Sequence, residues 1–182
     1  MKHSDLKISY NYANAWFAHA RNLNILEEVY KDCLFWKNIL QAEPIITIIF
    51  SNPICQKDKK KSLFDGFSGD NISEISKSVF YLMNENKRAG LWSKVLDCFI
   101  KIYLKYKNIE ESQVVTSKVL DTKSLEKMRE VVKKVFRCDD AFLKNVVDPK
   151  IIGGFVLTSS TERYDKSLCS AFENLKKKLT NI

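Results

Sequence analysis

Residues 91–120 read LWSKVLDCFIKIYLKYKNIEESQVVTSKVL, and the fold is decided by the change of pattern inside this stretch. From Leu91 to Tyr106, apolar residues recur three and four positions apart, as on one face of an amphipathic helix. The stretch then becomes rich in β-branched residues, and Ser112–Leu120 is typical of a strand. The sequence therefore predicts a mainly α protein, with an all-α domain at residues 1–107 and a small α+β domain at residues 108–182.

The residues before this stretch predict five further helices. Helical spacing recurs in residues 5–21, 23–42, 56–67 and 70–87. The remaining segment, Ile45–Phe50, is ambiguous. Its β-branched composition favours a strand, but its length and the preceding Pro44 also permit a short buried helix. Six helical segments before residue 107 predict a six-helix bundle.

The residues after the stretch alternate between the two patterns. Ser124–Arg137 returns to the helical period, Phe142–Val147 and Phe155–Leu157 are typical of strands, and residues 165–179 form a last helix. Together with the strand at Ser112–Leu120, this order predicts a β-α-β-β-α unit.

Composition excludes several classes of protein. Apolar residues make up 45% of the 182 residues, which excludes a disordered chain. The longest apolar run, Ile45–Phe50, is far shorter than the ~20 residues that cross a bilayer. Residues 1–7 lack the apolar core of a signal peptide, so we expect the protein to stay where it is made. The five cysteines are scattered, which is typical of reduced thiols.

The net charge of +8 comes mostly from lysine, since only five of the 30 cationic residues are arginine. Proteins that read nucleic acid rely on arginine for bidentate contacts to guanine and phosphate. The lysine-rich run Lys57–Lys61 is therefore interpreted as a solvated helix face rather than as an anion-binding site.

No motif for catalysis or cofactor binding is present in the sequence. It has no phosphate-binding loop and no GxGxxG, and Gly153-Gly154 is interpreted as a backbone requirement before a strand. The two histidines, His3 and His19, both lie in the first helical segment, so neither a Ser-His-acid triad nor a zinc site is expected. We predict no active site, no cofactor and no metal.

Four motifs carry a resemblance to a known family. Asn11–Phe17 (NYANAWF) resembles an RYAxALF opening, Leu82–Arg88 (LMNENKR) resembles LxxNxR, and Val147–Leu157 (VDPKIIGGFVL) matches VDPxLIGGFVL almost throughout. Tyr164–Leu168 resembles the xDGSV start of a last helix. In this order along the whole chain, the motifs resemble the delta subunit of F-type ATP synthases, the bacterial counterpart of the mitochondrial oligomycin-sensitivity-conferring protein. Trp16 stands where the family has Leu.

The resemblance implies a non-catalytic stator subunit in the peripheral stalk of the proton-translocating ATP synthase. In that family the helical bundle grips the N-terminal helix of the α subunit on the catalytic hexamer, and the C-terminal domain joins the C-terminal region of the b subunit. The family also implies a helix at Ile45–Phe50. It further implies a peripheral membrane protein on the cytoplasmic side of the bacterial plasma membrane, which meets the membrane only through the complex.

The family's groove for the α-subunit helix lies between the first and fifth helices. The resemblance maps it onto Tyr12, Ala15 and Trp16 of the first helix, and onto Leu82 and Asn86 of the fifth. A docked helix would be held there by several apolar anchors. Each of the five residues could instead belong to the core of the bundle.

Two other classes of function compete with the stator. One is a basic helical adaptor that binds RNA or an anionic membrane surface, for which salt-sensitive binding to polyanions would be the signature. The other is a small enzyme with an unrecognised site, which would show a pocket with several perturbed titrating groups. The scarcity of arginine and the family motifs argue against the adaptor, and no nucleic-acid partner is expected.

Overall fold

The computed structural model describes residues 3–69, 72–159 and 162–180. It divides into two compact units, Met1–Tyr103 and Leu104–Ile182. The predicted start of the fifth helix at Asp70 lies outside the described residues.

The first unit is a bundle of α-helices. The helices are α1 (His3–Asn22), α2 (Leu26–Ala42), α3 (Pro44–Ser51), α4 (Lys57–Ser68), α5 (Glu74–Glu85) and α6 (Trp92–Tyr106). A single 3-10 turn, Ala89–Leu91, leads into α6, which continues three residues past the end of the unit. The prediction of six helices followed by a small α+β part is confirmed.

The ambiguous segment Ile45–Phe50 is helical and forms most of α3. Pro44 occupies the first turn, where its missing N–H costs no hydrogen bond. Ile46 and Phe50, four positions apart, are both buried, and the Phe50 ring lies 4.9 Å from the Phe80 ring. Burial of one helical face therefore overrides the local preference for a strand.

Stacked aromatic rings fill the centre of this bundle. The ring centroids of Phe64 and Phe80 are 3.9 Å apart, and those of Trp36 and Phe64 are 4.4 Å apart. Trp92 meets both Phe64 and Phe80 edge to face, at 5.7 and 5.3 Å. Such pairs add about 0.5–1.5 kcal/mol each beyond the area they bury, and they fix the positions of α2, α4, α5 and α6.

A buried carboxylate ties α2 to the start of α5. Oδ2 of Asp32 accepts hydrogen bonds from the Ser73 and Ser76 hydroxyls, both at 2.5 Å, and from the Ser73 backbone N–H at 3.1 Å. The Ser73 hydroxyl also caps α5 by accepting from the Ser76 N–H. The position of α5 is thus set by polar contacts at its first turn as well as by the aromatic core.

The second unit is a four-stranded sheet with two helices. Its strands are β1 (Ile109–Thr116), β2 (Asp140–Val147), β3 (Gly154–Thr158) and β4 (Arg163–Ser167), and its helices are α7 (Thr122–Phe136) and α8 (Leu168–Thr180). The spatial order is β2-β1-β3-β4, with β1 and β2 parallel and the other pairs antiparallel. Val132 of α7 forms the buried centre of this unit together with Val114, Ala141 and Leu157 of the sheet.

The predicted β-α-β-β-α order is wrong in one element, because it omits β4. Among the described residues, this strand pairs only with β3, at the edge of the sheet, so its polar residues Arg163 and Asp165 remain partly solvated. A polar edge strand lacks the apolar alternation that identifies a half-buried one. The last helix consequently begins at Leu168 instead of residue 165, and β1 begins at Ile109 instead of Ser112.

The motif at Val147–Leu157 forms the turn between β2 and β3. The Asp148 carboxylate accepts a hydrogen bond from the Lys150 N–H at 3.0 Å, which stabilises the 3-10 turn Pro149–Ile151. Gly154 then adopts a φ of +78°, and a Cβ at this position would lie 2.2 Å from the Lys166 carbonyl oxygen. Only glycine fits here, so this glycine is required by the pairing of β3 with β4.

Candidate functional site

The first helix contacts both α2 and α5, and one of its faces is buried. The buried residues are Ser9, Ala13, Trp16, Phe17 and Ala20. Tyr12 and Ala15 lie on the adjoining face of α1, where Tyr12 is half-buried and Ala15 is exposed. Of these two, Tyr12 contacts the residues that follow α5, through Asn86 and Arg88.

The fifth helix presents an apolar stripe beside its buried face. Ile75, Val79 and Leu82 follow one another at spacings of four and three, so they share one side of the helix. Asn86 caps the C-terminal end of α5, directly after Glu85, rather than lying within the helix as the sequence predicts. Ile75 and Val79 are half-buried, whereas Leu82 is 55% exposed. An isoleucine-valine-leucine stripe that ends in solvent is an incompletely covered surface. We use the name α1–α5 groove for the candidate docking surface that combines this stripe with Tyr12 and Ala15.

Hydrogen bonds close one end of the α1–α5 groove. The Tyr12 hydroxyl accepts from Nδ2 of Asn86 and from Nη1 of Arg88, both at 3.3 Å. Nδ2 of Asn86 also donates to the Leu82 carbonyl at 2.9 Å, and the Arg88 guanidinium lies 5.8 Å from the centre of the Tyr12 ring. These contacts hold Tyr12 beside the C-terminal end of α5.

Arg88 is absent from the residues that the sequence predicts for the groove. It closes the motif Leu82–Arg88, two positions after Asn86, and that position is the available signal in the sequence. Its contact with Tyr12 spans 76 positions of the chain and arises only because the fold places α1 beside α5.

The expectation that Trp16 lines the groove is wrong. Trp16 is only 2% exposed, and its ring lies 5.5 Å from Trp92 and 4.6 Å from Phe99. On a helix, Trp16 is displaced around the axis from Tyr12 toward Ala13 and Ala20, which both face the core. The large side chain in place of the family's leucine thus fills the bundle and does not enlarge the groove.

The interpretation of Lys57–Lys61 as a solvated run is wrong for one residue. Lys60 is only 8% exposed, and its ammonium group donates to the Phe50 carbonyl oxygen at 2.7 Å. Its neighbours Lys59 and Lys61 are exposed.

Two tyrosines in the bundle have perturbed acidities for a structural reason. Burial and a hydrogen bond to Asp65 raise the pKa of Tyr81 to about 12, and burial with a hydrogen bond to Glu27 likewise raises the pKa of Tyr103. Both phenols are held protonated as donors to a carboxylate. Neither lies in the α1–α5 groove.

Residues 3–69, 72–159 and 162–180 contain no group of three or more His, Cys, Asp or Glu side chains able to hold a metal ion. Over the same residues, no single helix has both the length and the apolar character needed to cross a membrane. Helices α2 and α3 pass that test only when taken together, and they are bent by 98° at their junction.

Comparison with known proteins agrees with this architecture. A model of the family described as "ATP synthase delta (OSCP) subunit" matches residues 8–179. The chain belongs to this family. It is therefore a subunit of the peripheral stalk of an F-type ATP synthase, a complex associated with a membrane, and the other subunits of that complex are its partners.

The chain aligns with members of this family over nearly their whole length. It is 27% identical to the ATP synthase subunit delta of Amoebophilus asiaticus, with 96% of this chain and 95% of the relative covered. It is 26% identical to that of Lactobacillus johnsonii, covering 95% and 94%, and 28% identical to that of Flavobacterium johnsoniae, covering 93% and 95%.

A solved structure shares the fold. A chain in the cryo-EM structure of the Toxoplasma gondii mitochondrial ATP synthase hexamer superposes with a TM-score of 0.73 at 21% identity. The match covers 94% of this chain and 97% of that one.

Proposed function

We propose that this chain works as a non-catalytic clamp in the peripheral stalk, in which the α1–α5 groove holds the N-terminal helix of the ATP synthase α subunit. The observation that carries this proposal is the stripe Ile75, Val79, Leu82, whose last member is 55% exposed beside Tyr12 and Ala15. Helical peptides bind such grooves by inserting apolar side chains at helical spacing. Tyr12, Ala15, Leu82 and Asn86 are the proposed contacts, and Trp16 supports them from the core.

The rigidity of the bundle suits a clamp that must resist torque. Both walls of the groove lie on the aromatic core, α1 through Trp16 and α5 through Phe80. Close-packed interiors transmit load with little deformation. A helix bound in the groove would therefore be held against a stiff support, as a stator requires.

A second apolar surface supports a contact with the C-terminal region of the b subunit. Leu168, Phe172 and Leu175 lie on one side of α8 at spacings of four and three, and all three are exposed. Phe172 is the most exposed of the three, at 62%. The two units would thus hold different subunits, the first the catalytic hexamer and the second the b-subunit stalk.

This role implies a location and a lack of turnover. The chain would lie on the cytoplasmic side of the bacterial plasma membrane and would meet the membrane only through the complex. It would have no activity of its own, because the sequence has no phosphate-binding loop and no His-based catalytic constellation. Family membership gives no support to an adaptor for RNA or anionic membranes.

Isolation of the complex through a tag on this chain tests both contacts in one experiment. Leu82→Asp places a charge in the apolar groove, so it should lower the yield of the α subunit and leave the b subunit bound. Phe172→Asp on α8 should have the opposite effect. Lys59→Ala, at an exposed position on α4, is the control and should retain both subunits. Retention of the α subunit by folded Leu82→Asp would contradict the groove assignment.

A further inference from the structure

The first unit contains a cleft of about 800 Å³, bounded by the ends of α1, α3, α4 and α5 and by the start of α6. Its cationic side chains outnumber its single carboxylate, that of Asp5. The cations are Lys57, Lys60, Lys87, Arg88 and Lys94. We call this surface the basic cleft.

Part of this charge is neutralised within the chain. Lys57 pairs with Glu85 at 2.6 Å, and Lys94 pairs with Asp5 at 3.6 Å. Lys87 makes no side-chain hydrogen bond or ion pair within the described ranges, and the Arg88 guanidinium donates there only to the Tyr12 hydroxyl. The basic cleft therefore keeps an excess of positive charge after its internal pairs are counted.

Lys60 is the most informative of these residues. It is 92% buried, but its ammonium group has three donors and the described residues supply a single acceptor, the Phe50 carbonyl. No carboxylate among the described residues pairs with it. A buried charge without an opposite charge is costly, so such a group normally has a counterion when the protein is at work.

The apolar residues around the basic cleft indicate which kind of anion enters it. Ile54 is 87% exposed at its edge, with Pro53 beside it, and Ile8 and Leu91 are half-buried in its wall. An inorganic anion would make no use of these side chains. A polypeptide can offer carboxylates and apolar side chains together.

We propose that the basic cleft binds a segment of a partner protein that is rich in Asp and Glu and carries apolar residues between them, with one carboxylate paired to the buried Lys60. Lys87 and Arg88 hold further carboxylates at the edge, and Ile54 contacts the apolar residues. The proposal does not depend on the α1–α5 groove, because Lys60, Lys87 and Ile54 lie outside it. Arg88 also contacts Tyr12 at the end of that groove, so Lys60→Met is the variant that tests the basic cleft alone.

The test measures binding of a short fluorescent peptide of Glu and Leu to the full-length protein. Lys60→Met keeps the length and apolar stem of the side chain and removes its charge, and it should weaken binding about tenfold. Lys87→Glu with Arg88→Glu should weaken it by at least as much. Binding to the wild-type protein should also weaken as salt is raised.

A matched control separates a site from general attraction to a basic protein. Lys31→Glu with Lys101→Glu changes the net charge by the same amount as the Lys87 and Arg88 pair, at exposed positions outside the basic cleft. It should leave the affinity within about twofold of wild type. Equal losses in both double variants would overturn the proposal, since the peptide would then respond to net charge alone.

Two further outcomes would also overturn it. One is tight binding of inorganic tripolyphosphate that depends on Lys60 while the peptide does not bind, which would make the basic cleft a phosphate site. The other is unchanged peptide affinity in folded Lys60→Met and in the folded double variant of Lys87 and Arg88. Circular dichroism of each variant verifies that it is folded.

Discussion

The hydroxyl of Tyr12 and the side-chain amide of Asn86 lie 3.3 Å apart, although 74 positions separate them in the chain. This hydrogen bond crosses from α1 to the residue that follows α5, at the closed end of the α1–α5 groove. It connects the two walls at that end, beside the surface on which a docked helix would lie.

A double-mutant cycle measures this link. Tyr12→Phe and Asn86→Ala each remove one partner, and both positions are partly or fully exposed, so neither variant leaves a buried polar group unpaired. We expect a coupling free energy of about 0.5 kcal/mol in urea unfolding. Strict additivity of the two effects would show that the hydrogen bond does not form in solution.

Trp16→Ala should act on stability, because Trp16 belongs to the core. Removal of a fully buried tryptophan leaves a cavity and costs about 3–5 kcal/mol. Trp16→Leu, which restores the residue usual in the family, should cost less because much of the volume is kept. Chemical denaturation of both variants checks this order. A folded Trp16→Ala protein with wild-type stability would mean that the side chain does not pack between Trp92 and Phe99.

Gly154→Ala should destabilise the second unit by more than about 1 kcal/mol, because the new Cβ collides with the Lys166 carbonyl and the residue must keep a positive φ. Gly66, within α4, offers the matched control. A Cβ there would meet nothing within 4 Å beyond the backbone of its own helix, so Gly66→Ala should stabilise the protein by about 0.5–1 kcal/mol. Thermal unfolding of the two variants should therefore shift in opposite directions, and a stabilising Gly154→Ala would refute the assigned backbone.

The acid stability of the second unit should depend on Arg129. Its guanidinium donates to both carboxylate oxygens of Asp140, at 2.8 and 2.6 Å, and this contact lowers the pKa of Asp140. A carboxyl group whose pKa is lowered by folding stabilises the protein above its unfolded pKa of about 4, and this stabilisation is lost as the pH falls through the folded value.

Arg129→Gln should therefore lower stability at neutral pH and flatten its decline in acid. Urea unfolding between neutral pH and pH ~3 measures both effects. Arg163→Gln, at an exposed position of β4, is the comparison, since the Arg163 guanidinium makes a single longer contact with Asp165 at 3.4 Å. An identical pH profile for Arg129→Gln and the wild type would contradict this account.

The helical half of the fold is predictable because its helices are long and strongly periodic. Even at Ile45–Phe50, where propensity favours a strand, resemblance to the family indicates the helix. β4 is not predictable, because an edge strand with one paired side tolerates polar residues such as Arg163 and Asp165. The spacing of residues in the sequence shows which of them share a helical face. Which face points toward the neighbouring helices is decided by packing in the folded protein.

The orientation of side chains within the bundle explains two errors of the sequence-based prediction. Helical spacing puts Trp16 beside Tyr12, but in the folded bundle α1 is oriented so that Trp16 faces Trp92 and Phe99. In the sequence, Lys60 belongs to the same charged run as its exposed neighbours. In the structure, its side chain points inward to the Phe50 carbonyl. In both cases a tertiary contact between separate helices decides the outcome.

In the proposed complex, an apolar helix of the α subunit occupies the α1–α5 groove. The most direct measurement titrates a peptide of that helix, from the same organism, into the full-length protein at low and high salt. Leu82→Asp should weaken binding by about tenfold or more, on the order of 1.4 kcal/mol, with little dependence on salt, while Lys59→Ala should bind like the wild type. Wild-type affinity in a folded Leu82→Asp protein would contradict the claim.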